Sequence, residues 1–94
     1  MFSENRPALF LAPLAGITDS AFRQTCKEYG ADYTVSEMIS AKGLYYRDKK
    51  TGNLLRFEEC ERPIGIQVFG SEPDIVAFAV REITEKNKPD FIDI

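Results

Sequence analysis

The sequence predicts an α/β fold in which consecutive βα units share a parallel sheet. Short apolar runs suited to buried strands recur at residues 9–12, 33–35, 64–69 and 91–94, and helical patterns lie between them. The first three runs break off at their carboxyl ends into small or polar residues. Strands and helices that alternate in this way belong to parallel sheets, whose carboxyl ends all face one side.

Residues 1–7 read as a polar lead-in closed by Pro7, and the first strand covers residues 9–12. Pro13-Leu14-Ala15-Gly16 then forces extended backbone to stop and turn, which leaves N–H groups uncovered where a planar or anionic ligand can approach. Thr18 and Asp19 are N-cap types for a helix over residues 20–29, and Gly30 occupies the C′ position. Phe22, Cys26 and Tyr29 share one face of that helix, predicted to pack on the sheet with Cys26 as a small apolar filler.

The second strand, Tyr33–Val35, runs into Ser36-Glu37-Met38-Ile39-Ser40. Glu37 is therefore a carboxylate just past a strand end, a place where most such groups are merely solvated but where a ligand or positioning role is open. Ser40 caps a short helical turn through Leu44 and Tyr46, residues 47–53 read as a polar turn, and Leu54, Leu55 and Phe57 form a second amphipathic piece. Cys60 lies between Glu59 and Glu61, whose charge disfavours a thiolate, so it receives no catalytic role.

The third strand is Ile64–Phe69. Gln67 shares a face with Gly65 and Phe69, while Ile66 and Val68 point the other way. An amide in an apolar strand needs partners, either backbone and water or a ligand for which Gly65 and Gly70 clear room. The two glycines are spaced as in a P-loop, yet Ser71-Glu72 follows them instead of a Lys-Ser or Lys-Thr pair, which excludes that nucleotide site. Ser71 as N-cap, Pro73 in the first turn and Asp74 closing a capping box start the next helix. Val76, Ala79, Val80 and Ile83 are its apolar stripe, Asn87 lies near its end, Pro89 stops it, and the fourth strand follows at residues 91–94.

Ninety-four residues with 44% apolar content allow one domain at most. A net charge of −3 gives no basic nucleic-acid footprint. The absence of His and the wide separation of the two cysteines exclude a zinc framework and a CxxC redox pair, so no metal ligand is assigned. Free thiols and the lack of a leader or long apolar run point to a cytoplasmic chain without a membrane partner.

An open doubly wound sheet usually carries a GxGxxG-type first turn, which is missing here. A (β/α)₈ barrel places its chemistry on the rim where residues 13–16, 36–38, 67–70 and Asp93 would meet. Closing such a barrel takes eight strands and ~250 residues. Residues 1–94 are therefore expected to form an incomplete domain, the amino-terminal half of a TIM barrel with about four parallel strands.

Four segments strengthen this reading: Leu-Ala-Pro-Leu-Ala-Gly-Ile-Thr-Asp-Ser-Ala-Phe-Arg at 11–23, Ser-Glu-Met-Ile-Ser-Ala-Lys-Gly-Leu at 36–44, Ile-Gln-Val-Phe-Gly-Ser-Glu-Pro at 66–73 and Asp-Phe-Ile-Asp-Ile at 90–94. In this order they resemble the tRNA-dihydrouridine synthase family. The resemblance implies an FMN-containing TIM barrel, with a separate helical domain that helps to hold tRNA. Such enzymes reduce the C5–C6 double bond of uridines with electrons from NADPH. By position, Pro13, Leu14 and Ala15 correspond to the segment whose backbone lies against the flavin, and Gln67 to the side chain that hydrogen-bonds the isoalloxazine. Leu14 stands where the family more often has Met, a swap that roughly preserves volume.

The family's acid, the Cys of a Gly-Cys-Pro run after Asp-Ile-Asn, falls beyond residue 94 and matches neither Cys26 nor Cys60. No catalytic residue is assigned to this chain. Alone it is expected to be inactive and to retain FMN weakly or not at all, with a companion chain as one source of the missing barrel. Two other readings are kept: a different FMN barrel of dihydroorotate-dehydrogenase type, which the run at 36–43 argues against, and a non-catalytic remnant or interaction module that pairs its exposed strands with a partner.

Overall fold

A computed structural model of the chain describes residues 6–94. Most of the lead-in at residues 1–7 thus lies outside the described residues. The elements run β1 (Phe10–Leu11), α1 (Ser20–Glu28), β2 (Tyr33–Val35), β3 (Ile39–Ser40), α2 (Ala41–Tyr45), α3 (Lys49–Leu54), a 3₁₀ turn (Glu59–Glu61), β4 (Ile64–Phe69), α4 (Pro73–Lys86) and β5 (Phe91–Asp93). All pairings are parallel: β1 beside β2, β2 and β3 beside β4, and β4 beside β5. This is the parallel α/β architecture expected of the opening βα units of a (β/α)₈ barrel.

One strand more is present than the sequence predicts, because the second is interrupted. Val35 lies opposite Gly65 and Ile39 opposite Val68, so four steps along one strand face three along β4. Residues 36–38 are a bulge that takes up one extra residue.

Helices α2, α3 and α4 cover the outer face of the sheet. Ile39, Ile66 and Val68 pack there against Ala41, Leu44, Leu55, Ala79 and Ile83. Of the predicted α4 stripe, Ala79 and Ile83 lie in this core and Val76 packs against it, while Ile75 takes the flanking place expected of Val80. The opposite face carries an aromatic layer in which Phe10 stacks on Tyr33 at 4.5 Å and Tyr33 meets Phe91 edge-on at 6.5 Å. A Cβ on Gly65 would run into the Phe91 ring, and one on Gly70 would lie 2.8 Å from Val76 Cγ2. The room over Gly65 is thus taken by the Phe91 side chain, not kept open for a ligand.

Three further local readings are corrected. Helix α1 ends at Glu28, and its fully buried residue is Arg23, while Phe22 and Tyr29 are exposed. The predicted polar turn at 47–53 contains helix α3, started by Asp48, whose carboxylate accepts from Lys50 N. Thr51 of that helix is buried and packs over Gly43. The N-cap of α4 is Glu72 without a side-chain cap bond, so the Ser71–Asp74 capping box does not form.

The amino-terminal ends of the strands share one device. Asp32 donates its N–H to Leu9 O and accepts from Leu9 N through Oδ2, both at 2.8 Å; Asp90 does the same with Ile64, also at 2.8 Å. An Arg-Pro pair precedes each bracketed strand, and Arg6 and Arg62 pair with Asp32 and Asp90 respectively. The aspartate is followed each time by an aromatic residue of the inner layer, Tyr33 or Phe91.

Candidate functional site

The loop from β1 to α1 closes on itself around Leu14. Leu14 N donates to Thr18 Oγ1 at 3.0 Å, and Leu14 O accepts from Ile17 N, Thr18 N and Thr18 Oγ1. Gly16 supplies the φ of 77° that the turn requires, and its N–H donates to Glu37 Oε1 at 2.6 Å. Asp19 N donates to Ile17 O. Among the N–H groups from Leu14 to Asp19, only that of Ala15 has no hydrogen-bond partner among the described residues.

The bulge at 36–38 determines what faces this loop. Ser36 is buried; its N–H reaches Gly65 O, and its Oγ accepts from Gln67 N at 3.2 Å, a ladder donor the bulge would otherwise orphan. The bulge also turns Glu37 toward Gly16. Across the sheet, Gln67 Nε2 donates to Asp93 Oδ2 at 2.9 Å, in register with the β4–β5 pairing of those two residues. Gln67 Oε1 has no protein partner among the described residues. The partner that the sequence left open between backbone, water and ligand is thus Asp93 on one side of the amide only.

The four residues singled out for a flavin, Pro13, Leu14, Ala15 and Gln67, lie at one end of the sheet. Leu14 and Ala15 are exposed, Pro13 and Gln67 half-buried. Contacts across the rim link them in steps, from Gly16 to Glu37, from the adjoining Ser36 to Gln67, and from Gln67 to Asp93. A cleft of about 360 Å³ opens elsewhere on that side, between the starts of α2 and α4, lined by Ser40, Lys42, Phe69, Gly70 and Glu72 among others. None of the four lines it.

Behind the loop sits a buried ion pair that sequence reasoning missed. Glu61 is wholly buried and accepts from Arg23 Nε at 2.5 Å, Ser20 Oγ at 2.5 Å and Glu58 N at 2.8 Å. Arg23 Nη1 donates to Thr18 O at 2.7 Å and Nη2 to Arg56 O at 3.2 Å. A polar spacing, Ser20 to Arg23 and Glu58 to Glu61, was the available signal. It was masked by the competing apolar spacing of Phe22, Cys26 and Tyr29.

At the opposite end of the sheet the Arg6 guanidinium and the Leu9 N–H hold the Asp32 carboxyl at about 2, below the usual carboxylate range. Cys26 is half-buried on α1 and Cys60 exposed on the 3₁₀ turn, neither of them on the rim. No cluster of three or more metal-ligating side chains occurs among the described residues, and none of their helices is long and apolar enough to cross a membrane.

One unpartnered backbone donor and one restrained amide oxygen on a shared rim suit a planar, polar ring that both donates and accepts. Lys42, which lines the cleft between the starts of α2 and α4, is engaged by Glu72 at 3.4 Å. The fold is therefore that of a parallel α/β, barrel-type protein.

Comparison with known proteins gives the family. Residues 10–94 match the family profile described as dihydrouridine synthase (Dus). The chain is 51% identical over 86 residues to a probable tRNA-dihydrouridine synthase of Aquifex aeolicus, covering 92% of this chain and 27% of that protein. It is 40% identical over 90 residues to a probable tRNA-dihydrouridine synthase of Helicobacter pylori, covering 96% and 27%. To tRNA-dihydrouridine synthase B of Vibrio cholerae it is 36% identical over 86 residues, covering 92% and 26%. The chain belongs to the dihydrouridine synthase family and spans about a quarter of the length of these curated relatives.

Proposed function

We propose that residues 1–94 form the flavin-contacting part of an FMN-dependent tRNA-dihydrouridine synthase, an oxidoreductase that uses NADPH to reduce uridine in tRNA. The observation that carries this is the pair of open groups on one rim, Ala15 N–H and Gln67 Oε1, in a chain of this family. When bound, the flavin supplies the hydride.

The chain's own residues bind and orient. Pro13, Leu14 and Ala15 offer a backbone wall with one free donor, suited to a ring carbonyl or ring nitrogen. Asp93 fixes the Gln67 amide through Nε2, so its oxygen is left to accept from a ring N–H. No side chain here is given the proton-delivery step, in keeping with an acid supplied from outside these residues.

The test is genetic and chemical. Disrupting the gene in its host should abolish dihydrouridine at one or more tRNA positions, read by mass spectrometry of digested tRNA. Unchanged dihydrouridine content overturns the assignment. In a complementing gene, Gln67→Leu should lower dihydrouridine formation by roughly tenfold, the worth of one buried hydrogen bond.

A further inference from the structure

We infer that Glu37 and Glu61 are positioning residues that together hold the β1–α1 loop in the shape that presents Ala15 N–H. This rests on the flavin reading above. The loop is gripped at two points by carboxylates from different parts of the chain. Glu37, turned out by the bulge, takes Gly16 N–H directly at 2.6 Å. Glu61 acts through Arg23, whose Nη1 holds Thr18 O at 2.7 Å, and Thr18 Oγ1 in turn holds Leu14 N at 3.0 Å.

The two grips fall on either side of Ala15. Leu14 N–H and Gly16 N–H are both consumed, which leaves the donor between them without an acceptor among the described residues. A short loop with an αL glycine samples many shapes when untethered, and each tether removes part of that freedom before a ligand arrives. Glu61, fully buried and bonded to three donors, is the rigid anchor; Glu37, half-buried at the rim, is the adjustable one.

The experiment uses the purified chain, amide NMR and millimolar FMN as the probe, so that weak binding is still read. Glu37→Ala should speed hydrogen exchange of the Gly16 amide at least tenfold, with the melting temperature nearly unchanged. It should also abolish the shift of the Ala15 amide that FMN causes in the unsubstituted chain. Glu37→Gln, whose amide oxygen can still accept from Gly16, should restore both. Glu61→Gln should loosen Leu14 and Thr18 while leaving the fold intact, a weaker lesion than Glu61→Ala.

If Gly16 exchange is unchanged in Glu37→Ala, the grip is overturned whatever the flavin does. A loosened loop that still shows the full FMN shift at Ala15 overturns the positioning role and leaves the flavin reading standing. Absence of any FMN shift in the unsubstituted chain, with Gly16 exchange still dependent on Glu37, overturns the positioning role toward a flavin in this chain.

Discussion

Glu61 and Arg23 show how much one residue can decide in a chain of this size. Removing one member of a buried pair leaves the other charge without compensation, so Glu61→Ala should cost ~3–5 kcal/mol in urea or thermal unfolding. Replacing both with apolar residues of similar volume, as in Arg23→Met with Glu61→Leu, should recover most of that loss in the same assay. Gly65 is the counterpart in the aromatic layer: Gly65→Ala should cost ~1–3 kcal/mol by overpacking Phe91, and the penalty should shrink in a Phe91→Leu background. Asp32 gives a pH signature. With its pKa held at about 2, its contribution to stability is complete above the ordinary carboxyl value near ~4 and is lost as pH falls from there through 2. A ¹³C titration of the Asp32 carboxyl should find its midpoint near 2, rising toward the ordinary value in Arg6→Ala.

Among the elements, α4 and the interrupted strand are the most instructive. The residues Ser71, Pro73 and Asp74 have the composition of a capping box, yet the chain enters α4 one residue later, with Glu72 as N-cap and Pro73 at the first helical position. Ser71→Ala should therefore change stability by less than ~0.5 kcal/mol, where a true Ser N-cap would lose ~1. Glu72→Ser should add up to ~1 kcal/mol by satisfying first-turn N–H groups, measured by thermal melting. The strand over 33–40 was legible in part: Tyr33–Val35 is read directly, but β3 was not, because Ile39 and Ser40 are too few to show a period of two. Helix α3 was hidden for a similar reason. Its six residues are mostly polar and lack an apolar stripe, and it is held by Thr51 packed over Gly43 and by Leu54 and Leu55 against the core.

For the whole molecule, β5 pairs only with β4 among the described residues, and Leu14 and Phe69 are about half exposed. An open parallel edge next to apolar surface invites further pairing. Light scattering on the isolated chain should give a mass above that of one copy. By itself the sequence determined the parallel α/β plan, β4 to the residue, the shared rim and the family resemblance. These follow from apolar periodicity, glycine and proline punctuation and local motif order, all of which are written within short windows of chain. Only the tertiary structure decided that Glu61 lies buried against Arg23, that Asp93 holds Gln67, that Glu37 turns back to Gly16, and that Phe91 fills the space over Gly65. Each of those contacts joins residues 21 or more positions apart, and their partners are chosen by strand register and by a one-residue bulge that no local pattern encodes.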